Sequence, residues 1–301
     1  MNQSTSVSGN GMSAVFEYYH KLESRIGYRL LLGGTRHFGY YDVGTWWPFP
    51  INRALRAMEE YLYQTIGLSE EALVLDAGAG VCDVAIYMAE KGLNVRAIDL
   101  LDMHVQWGKR NVLNRRADDR VEVFQMNYQH LTFKDETFDG AYTVETLVHA
   151  SDPDQAMKEF YRVLRPGGVL VHIEYEHDGS KDPAVMRKLD RVNRYSSMPA
   201  FQQFTLGTVQ QKLEDAGFVD VEVRDLSWHV LPMLRLFFVL ACIPYLIIRL
   251  LGVERHFVNA MAAVDMYRIK EHVRVISVKA RKPSGEQYEE ESTLDGVRRR
   301  F

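Results

Sequence analysis

The sequence predicts an α/β fold with a Rossmann-like, doubly wound and mostly parallel sheet, a helical cap before it and a helical insert before the last strand. Three observations predict it. From residue 72 to about 178, short apolar runs alternate with stretches of helical periodicity, the mark of strands joined by crossover helices. The first of those runs enters a glycine-rich turn, "VLDAGAGVCD" at 74–83. The next run ends in an acid, Asp99.

The elements follow in order. Apolar residues recur at helical spacing from Ala14 to Leu32, and Gly33-Gly34 stops them. An aromatic loop, "RHFGYYDVGTWWPFP", leads to a second amphipathic helix over 52–66. These make a cap spanning 14–70. In the core, 71–178, "ALVLDAGAG" is strand and turn, "DVAIYMAEKG" a helix ended by Gly92, and "NVRAIDL" a strand. "VEVFQMN", "FDGAYTV" and "VLVHIEYE" are further strands, with "DQAMKEFYRVLRPGG" a helix and its glycine stop between the last two. Over 179–282 a polar helical insert leads to the helix "TLGTVQQKLEDAGF", the strand "VDVEVRDL", a helical stretch over 229–272 and a closing strand, "HVRVISVKARKP". The polar, Gly/Ser-rich leader 1–13 and the charged tail 283–301 read as disordered.

The bulk numbers narrow the function. At 301 residues the chain suits one large α/β domain with insertions. A net charge of -4, with lysines and arginines scattered, leaves no electrostatic footprint for nucleic acid. Two cysteines, Cys82 and Cys242, are too few for a disulfide framework and fit a reducing compartment. The leader has no basic region followed by an apolar run, so a cytoplasmic protein is expected.

The strongest signal is the turn after the first strand. Gly78 and Gly80 let the backbone approach a ligand closely, and the helix beyond offers it a positive N-terminal end. Asp99 stands where an acid can hold both hydroxyls of a ribose. A dinucleotide fold would share this much. However, the third glycine position is Asp83, and Asp76 precedes the turn. Acids there oppose a pyrophosphate and suit an ammonium or sulfonium. The ligand with those groups and no phosphate is S-adenosylmethionine.

Asp76-Ala-Gly78-Ala-Gly80, Asp99, Asn127-Tyr128, "FDGAYTVETLVHA" and "VLRPGG" resemble, in order and spacing, the motifs of class I S-adenosylmethionine-dependent methyltransferases. The nearest branch is that of the sterol C-methyltransferases and related small-molecule, natural-product methyltransferases. The "HFGYY" loop, the acid followed four residues later by His-Ala, and the "ARKP" ending point there. By that resemblance Asp76, Gly78 and Gly80 hold the methionine part of the cofactor and Asp99 its ribose. Leu100 and His104 flank the adenosine, Asn127 accepts the adenine amino group beside Tyr128, Val144 borders the site, and Tyr40 closes over it. Asn127 stands where many members have Asp, and an amide oxygen still accepts that bond. No metal is called for.

For the reaction, Glu145 and His149 lie just past the fourth strand, four residues apart. In a helical turn they would converge as an acid-oriented base, and Tyr41 could donate a hydrogen bond to the acceptor. The alternative is structural: Glu145 bonding loop amides and His149 filling a polar niche. Trp46 and Phe49 are expected as packing between cap and core. The greasy segment 230–251 has an apolar run of 13 residues, Leu236 to Ile248, which is itself split by Pro244. That is short of the roughly 20 a span needs. It reads as a wall of the acceptor pocket, as a peripheral membrane contact or as a homodimer surface. The acceptor is a small hydrophobic molecule. N-methylation ranks first, since the wording also resembles fungal diketopiperazine amide N-methyltransferases. O-methylation and C-methylation of a sterol or terpenoid follow, and a catalytically silent pathway subunit is the non-enzyme alternative.

Overall fold

The computed structural model describes residues 35, 37–254 and 257–284. The leader, the Ala14–Leu32 helix and the tail from 285 onward lie outside the described residues. Helix α1 (Ile51–Ile66) buries Ala54, Leu55, Met58, Leu62 and Ile66 at helical spacing. It ends on Gly67, whose left-handed backbone (φ 66°) lets its N–H return to the Tyr63 carbonyl. One polar residue, Glu59, is buried in that same stripe.

The core then alternates β1 (Leu73–Ala77), α2 (Asp83–Glu90), β2 (Asn94–Asp99), α3 (Asp102–Asn114), β3 (Val121–Gln125) and β4 (Phe138–Val144). Helix α4 (Pro153–Val163) follows, opened by Asp152 accepting from the Gln155 N–H and by Pro153 in the first turn. Next come β5 (Leu164–His177), α5 (Pro183–Ser196), α6 (Thr208–Asp215), β6 (Val219–Asp225), α7 (Ser227–Leu251), α8 (Val258–Arg268) and β7 (Val273–Arg281).

The seven strands form one sheet in the order β3-β2-β1-β4-β5-β7-β6. Strands β1 to β5 pair in parallel, and β7 runs antiparallel to both its neighbours. Helices cover both faces, so the central strands are buried on both sides: four of the five β1 residues are buried. Phe138, Tyr142 and Phe160 are among the largest fully buried side chains. Because strand order turns back at β1 and β4, the loops at their carboxyl ends diverge and leave a crevice.

Two boundaries differ from the sequence reading. The α4 helix stops at Val163, and "LRPGG" already belongs to β5, where it forms an irregularity opposite Phe138–Gly140. Pro244 does not split the greasy segment. α7 is continuous over 25 residues with Pro232 and Pro244 both inside it.

Candidate active site

The crevice is lined from the carboxyl ends of β1, β2 and β4 and from the segment before α1. It is a cleft of about 1090 Å³, open mouth included. Asp76, the fourth residue of β1, points into it and is only 3% exposed. Its Oδ2 has no hydrogen-bond partner, and burial pushes its carboxyl up to about 7. The buried Tyr142 hydroxyl lies close enough to lower that value in part, although it too lacks a well-directed bond.

The turn after β1 is built for close approach. Gly78 has φ 88°, and a Cβ there would stand 2.7 Å from Thr146 Cγ2. The Gly80 N–H donates to Asp99 Oδ2 at 2.9 Å. The other Asp99 oxygen accepts from the Leu101 N–H and pairs with His104 Nδ1 at 3.1 Å. Cys82 enters α2 through a left-handed backbone (φ 67°) and is fully buried under α3, where a Cβ on Gly108 would meet its Sγ at 2.6 Å.

Asp83 opens α2 and accepts from Thr35 Oγ1 at 3.1 Å. Burial raises its carboxyl. Among the described residues no lysine or arginine lines the cleft. Four carboxylates, Asp76, Asp83, Asp99 and Glu145, with no lysine or arginine among the described lining residues, disfavour phosphates and favour a cation. The orphaned buried oxygen of Asp76 therefore fits the cationic amino-acid end of S-adenosylmethionine.

The remaining cofactor candidates Leu100, His104, Asn127, Tyr128 and Val144 all line the same cleft. Asn127 Oδ1 accepts from the Gln129 N–H at 2.9 Å and from Gln129 Nε2 at 3.4 Å, so a further donor at that oxygen would take the place of the longer bond. Tyr40 is placed elsewhere. It stacks on Tyr61 and on His229, with ring centroids 5.1 and 4.1 Å away, and does not line the cleft. Its place at the cleft is taken by Thr35 and His37.

Glu145 and His149 both line the cleft, but they do not form a dyad. The chain after β4 makes only a short 3₁₀ turn, Leu147–His149, and Glu145 itself has φ 53°. The Glu145 carboxylate accepts from the Phe38 N–H at 2.7 Å and from the Tyr175 hydroxyl. Burial raises it. His149 Nδ1 donates to the Ser197 carbonyl at 2.8 Å, so Nε2 is its basic atom. Burial lowers its pKa, and the charges it feels are those of Asp99 and His104 on the ribose side. Tyr41 is buried away from the cleft and donates to the Pro48 carbonyl at 2.9 Å. Burial pushes its hydroxyl up to about 12.

The aromatic loop is the reverse of the expectation. Trp46 and Phe49 are 71% and 49% exposed, while Tyr40 and Tyr41 are packed. The reason is that the Tyr40 N–H bonds the Ala54 carbonyl and the Tyr41 N–H bonds the His229 carbonyl, which pins those two between α1 and α7. No residue of 230–251 lines the cleft, so α7 is not its wall.

Sequence reasoning missed two carboxylates. Glu174 of β5 is fully buried and accepts from the N–H groups of Thr146, Leu147 and Val148, which fixes the loop after β4. Burial pushes it up to about 8, against the pull of those donors. Glu59 lies 3.7 Å from His37 Nε2, a nitrogen with no hydrogen-bond partner. Burial lowers the His37 pKa, but Glu59 outweighs it and the net shift is upward. A lone acid inside the apolar stripe of α1 was the available signal for Glu59.

Fold and cleft together define a class I methyltransferase-type domain with a carboxylate-lined cofactor cradle. Residues 75–172 match the family model described as "Methyltransferase domain". The chain is 39% identical over 277 residues to the S-adenosyl-L-methionine-dependent Diels-Alderase iccD of Talaromyces variabilis, covering 90% of this chain and 95% of that one. It is 36% identical over 233 residues to the S-adenosyl-L-methionine-dependent Diels-Alderase iliD of Neonectria sp. (strain DH2), covering 73% and 91%. Among solved structures, that of the [4+2]-cyclase SpnF superposes with a TM-score of 0.70 at 21% identity, covering 92% of this chain and 96% of that one. Sterol and natural-product methyltransferases are also relatives. The chain belongs to the class I S-adenosylmethionine-dependent methyltransferase family, and S-adenosylmethionine is its cofactor.

Proposed function

We propose that this protein is an S-adenosylmethionine-dependent cyclase that closes a ring in a small hydrophobic polyene by [4+2] addition of a diene to an alkene. The observation that carries this reading is the likeness to a Diels-Alderase at 39% identity over nearly the whole of both chains. The absence of a Glu145–His149 dyad agrees with it, since a pericyclic step moves no proton and needs no base. Bound in the cradle, the cofactor would supply the positive charge of its sulfonium, with its methyl group retained.

The chain's own residues then have these tasks. Asp76, Gly78 and Gly80 would hold the methionine end, Asp99 the ribose, and Asn127 the adenine edge, with Leu100, His104, Tyr128 and Val144 packed around it. The acceleration of the ring closure comes mainly from holding the two reacting ends together and excluding water. His37, a lining residue held against the buried Glu59, would polarise a carbonyl conjugated with the alkene. That draws electron density from the alkene as the new bonds form. Glu145 acts through the backbone by fixing Phe38, and so the His37 segment.

The second reading is methyl transfer, on nitrogen first. It is favoured by the methyltransferase match and by His149, whose Nδ1–H bond to Ser197 leaves Nε2 as a base. There His149 would take the proton of the acceptor.

Mass spectrometry of reactions with a linear polyene bearing a diene and an alkene separates the two. The expected product has the mass of the substrate, forms only with cofactor present, and releases no S-adenosylhomocysteine. His37→Phe should slow that isomerisation roughly tenfold or more. A product one methylene heavier, with an equivalent of S-adenosylhomocysteine, overturns the cyclase reading in favour of methyl transfer.

A further inference from the structure

Helix α7 carries two apolar faces. Its inner stripe, Val230, Met233, Ala241, Tyr245 and Ile248, is buried against the protein. The outer face is apolar as well: Val239, Ile243, Leu246, Ile247 and Leu250 are between 53% and 87% exposed. By length and composition α7 could cross a membrane, yet only 28% of its most apolar window is buried inside the protein. A helix apolar all round and uncovered on one side needs an explanation.

Spanning is ruled out by topology. α7 leaves β6, α8 packs back along it, and the chain re-enters the same sheet as β7, the neighbour of β6. The Leu226 N–H bonds the Val275 carbonyl of β7 at 2.7 Å and fixes the start of α7 to that sheet. The helix therefore lies along the molecule's surface, with its outer face turned outward.

Two features identify what meets that face. The first is charge. From Ser227 to Leu251 there is no acidic residue, while Arg235 and Arg249 stand toward its two ends. Neither arginine has a carboxylate partner among the described residues. Arg235 stacks on the Trp46 ring at 3.9 Å and donates to the Trp46 carbonyl at 3.1 Å, and Arg249 donates to the Tyr245 hydroxyl. The second is the exposed indole pair Trp46 and Trp47, which Arg235 ties to the same side of the molecule. Positions 235, 239, 243, 246 and 250 share one helix face, so the tryptophan loop and the apolar row form one continuous strip.

We propose that this strip seats the protein on an anionic bilayer surface, with the outer face of α7 in the acyl boundary and Trp46, Arg235 and Arg249 at headgroup level. Apolar side chains bounded by arginines and indoles match the layering of that interface. A second copy of the chain matches it poorly. A two-fold contact through this face would bury arginines from both copies with no acid on the face to pair them. The inner face of α7 reaches the cleft's own segment, with Phe237 against Phe38 at 5.9 Å between ring centroids. Seating α7 in lipid thus brings the cleft close to the bilayer. The inference does not rest on the reaction proposed above.

The test is sedimentation of the full chain with vesicles of phosphatidylcholine alone and of phosphatidylcholine with about one-third phosphatidylserine. Binding is expected to the anionic vesicles and to be weaker on the neutral ones. The double variant Ile243→Glu/Ile247→Glu should lose at least about tenfold in partitioning while still binding S-adenosylmethionine by calorimetry, which shows that it folds. The double variant Arg235→Gln/Arg249→Gln should reduce the preference for anionic lipid. Equal sedimentation of wild type and Ile243→Glu/Ile247→Glu overturns the proposal. So does a lipid-free dimer in analytical ultracentrifugation that the same substitutions abolish, since the strip would then be a self-interface.

Discussion

Asp76 has a measurable signature. It is a carboxyl raised by burial to about 7, and its ordinary value is 3.8. The folded chain therefore holds this proton more tightly than the unfolded chain between those values. Its ionisation costs stability progressively as pH rises from about 4 to about 7. A cationic ligand needs the ionised form, so affinity moves the opposite way. Calorimetric titration with S-adenosylmethionine should show affinity rising with pH up to about 7, by at most tenfold per unit, and levelling above it. Asp76→Asn should flatten that slope and weaken binding about 10–100-fold at the plateau. At this scale the sequence was readable where the constraint is local. The two glycines and the acids on either side act through neighbouring backbone. Tyr40, Tyr41 and His37 were not, because the direction of each ring depends on contacts far away in sequence, such as Tyr41 N–H with the His229 carbonyl. Three residues of shift along the loop exchanged Tyr40 for His37 at the cleft.

Among the elements, the loop after β4 depends on one side chain from the neighbouring strand. Glu174→Ala would leave three buried N–H groups, at 146, 147 and 148, without acceptors. Loss of about 3 kcal/mol or more in urea unfolding is expected. A Glu174→Gln variant keeps a carbonyl acceptor and should recover part of it. The α5–α8 contact is tied in a similar way, Arg191 bonding the buried Asp265 at 2.9 and 3.0 Å. Strongly periodic elements were legible at this level: α1 and α4 by their apolar stripes, and the strands by their apolar runs. The sequence assigned no element to 102–114, since α3 buries His104, Val105, Gly108 and Val112 and so shows only a thin apolar row. Pro244 misled because a proline costs one carbonyl bond and some bending but does not end a helix held by packing on both sides of it.

For the whole molecule, the cleft gathers residues from β1, β2, β4 and the segment before α1, so filling it couples elements distant in sequence. A ligand present at about 100 times its dissociation constant adds about 2.7 kcal/mol. For a chain of this length that is about 4 °C in the unfolding midpoint. Differential scanning fluorimetry should show that rise with S-adenosylmethionine and with S-adenosylhomocysteine, and not with a dinucleotide, whose phosphates meet Asp76, Asp83 and Asp99 with no lysine or arginine among the described residues of the cleft. The sheet and its glycine turn were legible in the sequence because they follow from alternation and spacing. Which face of α7 is covered was not, because a helix apolar on every side gives periodicity nothing to select.

Cys82 gives the cofactor turn a clock of its own. Its thiol is sealed beneath Gly108, and burial, together with Asp76, Asp99 and Asp83, raises its pKa well above the ordinary value. The chain's other thiol, Cys242, is only half-buried on α7. A thiol reagent should therefore modify Cys242 promptly and reach Cys82 only when the turn between β1 and α2 comes away from α3. The lag between first and second modification times how often the empty cradle opens. Its lengthening with added ligand would report occupancy without any turnover.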